Sequence, residues 1–195
     1  GLPRPALLRQ RVEASLSVSG SSDPADAELT RAAMAGDREA FGKLVARSQA
    51  AVRALARRLA RSASDGDDIA QGAFLAAWRY RSTWRGGSFK SWVCTIAYRE
   101  FLHGRREATS EIDEETMSGE ADQIGGEKGG EKIDLMRAMA MLEDNERSAI
   151  ALCLGAGMSH GEAAIAMEAP LGSVKSWVLR GRAKLQKALA PYGVA

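Results

Sequence analysis

Lys175, Arg180, Arg182 and Lys184 are interleaved with Ser173, Ser176 and Trp177 in the stretch from Leu171 to Leu185. Cations, hydroxyls and an indole on one side of a helix suit the groove of a nucleic acid. Arg and Lys grip phosphate or a guanine edge, hydroxyls bond to either, and flat apolar groups meet a thymine methyl. In the same stretch Val174, Val178 and Leu185 fall roughly on one helical face, leaving Ser173, Lys175, Ser176, Trp177 and Arg180 to point elsewhere. Upstream, Ser159 and Glu162 form an S-x-x-E capping box, which predicts a helix running to about Met167. Pro170 and Gly172 are expected to stop that helix and let the next begin at a steep angle. Two short helices, a tight turn and a cationic second helix make a helix-turn-helix. The competing reading is an ordinary helical hairpin with a solvated basic face. For enzyme chemistry the residues offer nothing: no Gly-rich phosphate loop, no triad, no metal cluster and only two His. Neither a cofactor nor a metal is expected.

The elements that position these groups are helical throughout. Asp23 followed by Pro24 supplies a cap and a first-turn proline for a helix to about Ala35. Gly36-Asp37 breaks it and caps the next, in which Phe41, Leu44, Val45, Ser48, Val52, Leu55 and Leu59 repeat every three to four residues to about Arg61. Ser64 and Asp65 are expected to open a third helix with Ile69, Ala73, Phe74, Ala77 and Trp78. The turn Trp84–Gly87 leads to a fourth, capped by Ser88, with Trp92, Val93, Ile96, Ala97 and Phe101 inward. After Arg106 the apolar pattern collapses into Gly-Gly pairs and acids, a composition that cannot bury enough surface to offset chain entropy. Periodicity returns at Ile133 with Leu135, Met136, Met139 and Leu142. A helix capped near Asp144 follows, carries Ile150, Leu152 and Leu154, and is ended by Gly155 and Gly157. No period-2 run is bounded by turns, so the fold class is all-α: two small helical domains joined by a flexible acidic linker, the second containing the helix-turn-helix. The expected organisation is a disordered tail over 1–23, with a short helical patch at Ala6–Ser15, domains over 24–106 and 133–190, and the linker over 107–132.

Charge follows this division. The 195 residues carry a formal +2, but 107–132 hold nine acids against Lys128 and Lys132, a net of −7 that leaves +9 on the rest. A basic body interrupted by an acidic tract suits a protein that meets nucleic acid through some surfaces only. Cys94 and Cys153 sit in apolar helical patterns without disulfide or metal spacing, and are expected buried and reduced, consistent with the cytoplasm. No apolar run approaches the 18 residues of a membrane span, and the opening GLPRPALLRQ lacks a secretory apolar core.

Read in order, GDREAF (Gly36–Phe41), DDIAQGAFLAAW (Asp67–Trp78), FKSWVCTIA (Phe89–Ala97), Arg105-Arg106, LEDNERSAIALCLGAGMSHGEAA and PLGSVKSWVLRGRAKL resemble bacterial sigma factors of the extracytoplasmic-function (ECF) type. The resemblance covers about residues 24–190 and includes regions two and four of the larger sigma factors. It implies a protein that binds core RNA polymerase, through the beta-prime clamp and beta subunits, directs it to promoter DNA and assists melting. It also implies an anti-sigma factor as partner.

Residue by residue, the D-x-x-Q segment that docks on the polymerase clamp corresponds to Asp68 and Gln71, which share a face at i, i+3. The bland alternative is that Asp67 and Asp68 merely favour the helix N-terminal dipole. An acid usually follows the Gln, whereas Gly72 stands here. The minus-10 strand is implied to meet Trp84, Arg85, Ser88, Lys90, Arg99 and Arg106; Trp92 is expected in the core. Relatives commonly have Asn and Asp where this chain has Arg99 and His103, so an altered minus-10 preference is expected. The minus-35 element falls to Ser173, Lys175, Ser176, Trp177 and Arg180, with Arg182 and Lys184 on phosphate. Trp177 stands where Arg is frequent and has a single donor, which excludes a bidentate guanine contact. Gly181 is expected to weaken its helix by about 1 kcal/mol relative to Ala.

As a free coil the 26 linker residues span about 28 Å. Promoter elements about 25 base pairs apart are separated by on the order of 85 Å. The linker must therefore be drawn out when both are bound. The alternative function is a stand-alone helix-turn-helix transcriptional regulator, which binds its duplex without polymerase.

Overall fold

The computed structural model describes residues 24–60, 62–112, 135 and 137–190, and among these no strand occurs. The tail, the cap at Asp23, Ile133, Met136 and most of the linker lie outside the described residues. Helix α1 spans Pro24–Ala35, α2 Arg38–Leu59, α3 Ala63–Arg79 and α4 Phe89–Ile112, with a 3-10 turn at Arg81–Thr83. The second unit contains α5 (Asp144–Ile150), a π-helical turn (Ala151–Gly155), α6 (His160–Ala166) and α7 (Leu171–Leu189).

Capping chemistry sets the boundaries. Asp37 accepts from the backbone N–H groups of Glu39 and Ala40 at 2.8 and 3.1 Å and so starts α2. The third helix begins earlier than expected, because Ser62 rather than Ser64 is the cap: its hydroxyl accepts from Asp65 N at 3.1 Å. Helix α5 likewise starts from Glu143, one residue before the expected Asp144. Helix α4 continues to Ile112, six residues beyond Arg106, where its apolar pattern ends. Local propensity carries a helix past the end of its packed stripe.

In the first bundle α2 packs on α1, α3 and α4, around fully buried Val52, Leu55, Ala73, Val93 and Ala97. Each large aliphatic side chain buried there contributes about 1.5–3 kcal/mol. Phe41, Trp78, Phe89 and Trp92 lock three helices together, with Phe41 edge-on to Trp78 at 5.0 Å and to Phe89 at 5.7 Å. Gly66 allows α3 to approach α2, since a Cβ there would lie 2.7 Å from the Arg57 Cα. In the second unit α7 packs on α5 and α6 through Val174, Val178, Gly181 and Leu185.

The two units touch. Helix α6 lies on α4, and the π turn lies on α2. In consequence every residue from Ser91 to Tyr98 is buried. Cys94 and Cys153 are buried and free, and burial pushes their thiols up to about 12 and about 11. Both are protonated and unreactive near neutrality.

Candidate nucleic-acid interface

The helix-turn-helix is built from α6, a turn and α7. Ser159 and Glu162 cap α6 reciprocally: Glu162 N donates to Ser159 Oγ at 3.2 Å, and Ser159 N to Glu162 Oε2 at 2.8 Å. The turn differs from the sequence expectation. Gly172 lies inside the first turn of α7, and the chain reverses at Glu168, whose φ is +52°. Ala169 N bonds to Ala164 O and Glu168 N to Ile165 O, a Schellman closure with Glu168 at the left-handed position. A side chain in that conformation costs about 1–2 kcal/mol. Pro170 then caps α7.

On α7 the apolar stripe of Val174, Val178 and Leu185 is buried, and Lys175, Ser176, Arg180 and Arg182 are exposed, with Ser173 and Trp177 half-buried. Ser176 Oγ donates to Gly172 O at 2.9 Å. The helix is seated on α5 at Gly181, where a Cβ would lie 2.8 Å from Ile150 Cγ1. That corrects the expectation drawn from propensity: this glycine permits the packing, and alanine would collide.

Beside Gly181 lies Glu146, which is fully buried. Its carboxylate accepts from Arg180 Nε at 3.2 Å, from Lys184 Nζ at 2.7 Å and from Glu143 N at 3.3 Å. Burial pushes this carboxyl up, but Lys184 and Arg180 outweigh it and hold it below the usual range. Lys184 also lies 3.5 Å from Glu143. Sequence reasoning passed over Glu146, yet a signal was present. It occupies the apolar stripe Leu142, Glu146, Ala149, Ile150, Cys153, where a lone carboxylate demands a partner.

Helix α4 presents the opposite picture. Ser88 caps it, its Oγ accepting from Ser91 N at 3.3 Å. Lys90 is half-buried and points toward Gly157, its Nζ 3.5 Å from where a Cβ would stand. Arg99 is 14% exposed, with Nη2 3.9 Å from Glu168 Oε1. Arg105 Nη2 meets Asp144 Oδ2 at 2.7 Å. Ser91 lies beside Glu162 and Tyr98 beside Ser148. Burial raises the Glu162 carboxyl, but Ser91, Ser159 and Lys90 leave it below the usual range; burial raises the Tyr98 phenol. The sequence assigned none of these interdomain partners. Trp84 is half-buried, Arg85 is exposed with Nη1 donating to Ser82 O at 2.8 Å, Trp92 is buried, His103 is exposed, and Arg106 lies within α4.

On α3, Asp67 and Asp68 have different fates. Arg57 takes Asp67 through two bonds, Nε at 3.0 Å and Nη2 at 2.7 Å, which hold its carboxyl below the usual range. Asp68 and Gln71 remain exposed. A Cβ at Gly72 would meet nothing within 4 Å.

With this geometry in place, the comparisons with known proteins agree. Sigma-70 region 2 matches residues 44–111 and sigma-70 region 4 matches residues 132–185. The RNA polymerase sigma factor NccH of Alcaligenes xylosoxydans xylosoxydans is 32% identical, over 84% of this chain and 95% of that protein. The ECF RNA polymerase sigma-E factor of Escherichia coli K12 is 31% identical, over 85% and 95%. Among solved structures, the sigma factor RpoE in complex with the anti-sigma factor NepR from Bartonella quintana aligns with a TM-score of 0.67 at 27% identity, covering 77% of this chain and 96% of that one. CnrH in complex with the cytosolic domain of CnrY gives 0.63 at 25%, covering 86% and 98%. The chain belongs to the ECF sigma factors of the sigma-70 family, which act in promoter-directed transcription initiation. Sigma factors are not enzymes. No helix among the described residues is long and apolar enough to cross a membrane.

Proposed function

We propose that this sigma factor docks on core RNA polymerase through Asp68 and Gln71, reads the minus-35 element with α7, and holds the minus-10 strand against α4 and the loop before it. The observation that carries the reading is the division of α7. Val174, Val178 and Leu185 are spent on α5 and α6, while Lys175, Ser176, Arg180 and Arg182 are exposed along the rest of the helix, together with Leu171 and Leu179. Arg57 neutralises Asp67 and leaves Asp68 exposed beside Gln71, which supports polymerase docking over a dipole role. Trp84, Arg85, Lys90, Arg99 and Arg106 are the minus-10 contacts in this reading; Ser88 serves by capping their helix.

The closed arrangement adds a condition. Lys90 and Arg99 lie against the second unit, so engaging the minus-10 strand requires the two units to part. An anti-sigma factor that clamps both units holds this inactive form; the solved relatives RpoE and CnrH are in complex with NepR and with CnrY.

Comparing promoter binding with and without core polymerase tests the function. Promoter-specific complexes are expected only with core polymerase, and Asp68→Ala with Gln71→Ala should abolish them by weakening assembly while leaving helicity unchanged. Tight duplex binding by the chain alone, or wild-type assembly by the double variant, defeats the reading.

A further inference from the structure

We infer that Glu146 is a positioning residue for minus-35 readout: it orients Arg180 from inside the protein. The inference rests on the reading of Arg180 as the base-contacting residue. A guanidinium has five donors, one on Nε and two on each Nη. Glu146 Oε1 takes the Nε donor at 3.2 Å, on the protein side of α7. The edge formed by the two Nη atoms takes no part in that bond, and the Arg180 side chain is 54% exposed. Such an edge is the fork that meets O6 and N7 of guanine. An arginine tethered at Nε has fewer rotamers to lose on binding than one waving free.

Two further observations support the assignment. Glu146 is fully buried and its other oxygen is taken by Lys184 at 2.7 Å, so the carboxylate cannot swing away without stranding a charge. Gly181 sits against the same carboxylate stem, 3.5 Å from Glu146 Cβ to a built Cβ, so the tether lies beside the close approach of α7 to α5. Lys184 is thereby the counter-ion that keeps Glu146 charged when Arg180 leans toward DNA, rather than the phosphate contact its sequence position suggested.

The test uses full-length protein assembled with core polymerase and a DNA library randomised over the minus-35 element. Arg180→Ala identifies the base position that Arg180 reads. Glu146→Gln is expected to reduce preference at that same position by roughly tenfold, the scale of one bidentate contact. The salt dependence of binding should stay unchanged, since no phosphate contact is lost. Added to Arg180→Ala, Glu146→Gln should change base preference no further. Lys184→Met should lower the preference at that position by less than Glu146→Gln, since it frees one oxygen of the carboxylate but leaves the bond to Arg180. If Glu146→Gln does not fold, Glu146→Asp carries the test: it keeps the charge on a shorter stem, so preference should fall while helicity by circular dichroism is retained. Wild-type preference in the Glu146 variant that folds overturns the inference, as does a loss of affinity that is uniform across sequences. If Arg180→Ala itself leaves base preference unchanged, the inference falls together with the reading of Arg180.

Discussion

Helices α4 and α7 both carry cations and aromatics suited to DNA, yet they stand at opposite ends of exposure. On α7 one face is buried and the other presents Lys175, Ser176, Arg180 and Arg182. On α4 the residues from Ser91 to Tyr98 are buried on all sides, because α2 and α3 cover one face and α6 the other. Acids of the second unit, Asp144, Glu162 and Glu168, stand close to Arg105, Lys90 and Arg99 respectively. A phosphate backbone makes the same electrostatic demand on such cations. If α4 meets the minus-10 strand as proposed, its surface is complete in sequence and occupied in the fold, and opening is a step separate from recognition.

The largest effect should come from preventing that opening. Residues 107–112 are helical and rise only about 1.5 Å each. The full segment 107–132 therefore reaches about 75–80 Å, and removing ten residues from 113–132 leaves about 45 Å. The shortened protein should still bind core polymerase through Asp68 and Gln71, while transcription from a two-element promoter falls by at least an order of magnitude. Normal initiation by that protein, measured in a reconstituted assay, would break the comparison by showing that both helices engage without separating.

A smaller effect bears on the seat of α7. Helix propensity alone says that Gly181→Ala stabilises by about 1 kcal/mol. The 2.8 Å approach to Ile150 Cγ1 says instead that it destabilises by about 1–3 kcal/mol through overpacking. Denaturant titration of the full chain distinguishes the two by sign.

The smallest effect concerns the contact that covers α4. Arg105, then Arg147 at 3.9 Å, hold the Asp144 carboxyl below its usual range. With a depressed pKa in the folded state, the pair contributes fully above the unfolded value of about 4 and is lost as pH falls through the folded one. Asp144 and Arg105 are about half exposed, so the contribution is under about 1 kcal/mol. The melting temperature of Asp144→Asn should sit slightly below wild type above pH about 5, with the gap closing toward pH about 3. A gap that does not change with pH would remove Asp144 from the interface energetics.

Much of the site was legible in order and spacing. The Asp37 cap, the Ser159–Glu162 box and the stripe of Val174, Val178 and Leu185 are local patterns, and each was found where the sequence put it. The misreadings were also local in kind. Ser62 and Glu143 replaced later residues as caps because several adjacent side chains offered the same oxygen, and only backbone geometry selects one. Gly172 carries the turn signal in the sequence, whereas Glu168, where the chain reverses, gives no sign there of a left-handed backbone.

By itself, the sequence determined an all-helical fold in two units, with a cationic second helix in the helix-turn-helix and the polar pair Asp68 and Gln71 on one face. Those features follow from periods of three to four residues and from caps, which a short window contains. Only the tertiary structure decided that Asp67 is spent on Arg57, that Gly181 is a seat, that Glu146 tethers Arg180 and that α4 lies under the second unit. The reason is distance along the chain. Glu146 and Arg180 are 34 residues apart and Arg105 and Asp144 are 39 apart, so their meeting depends on how helices stack, which no local period records.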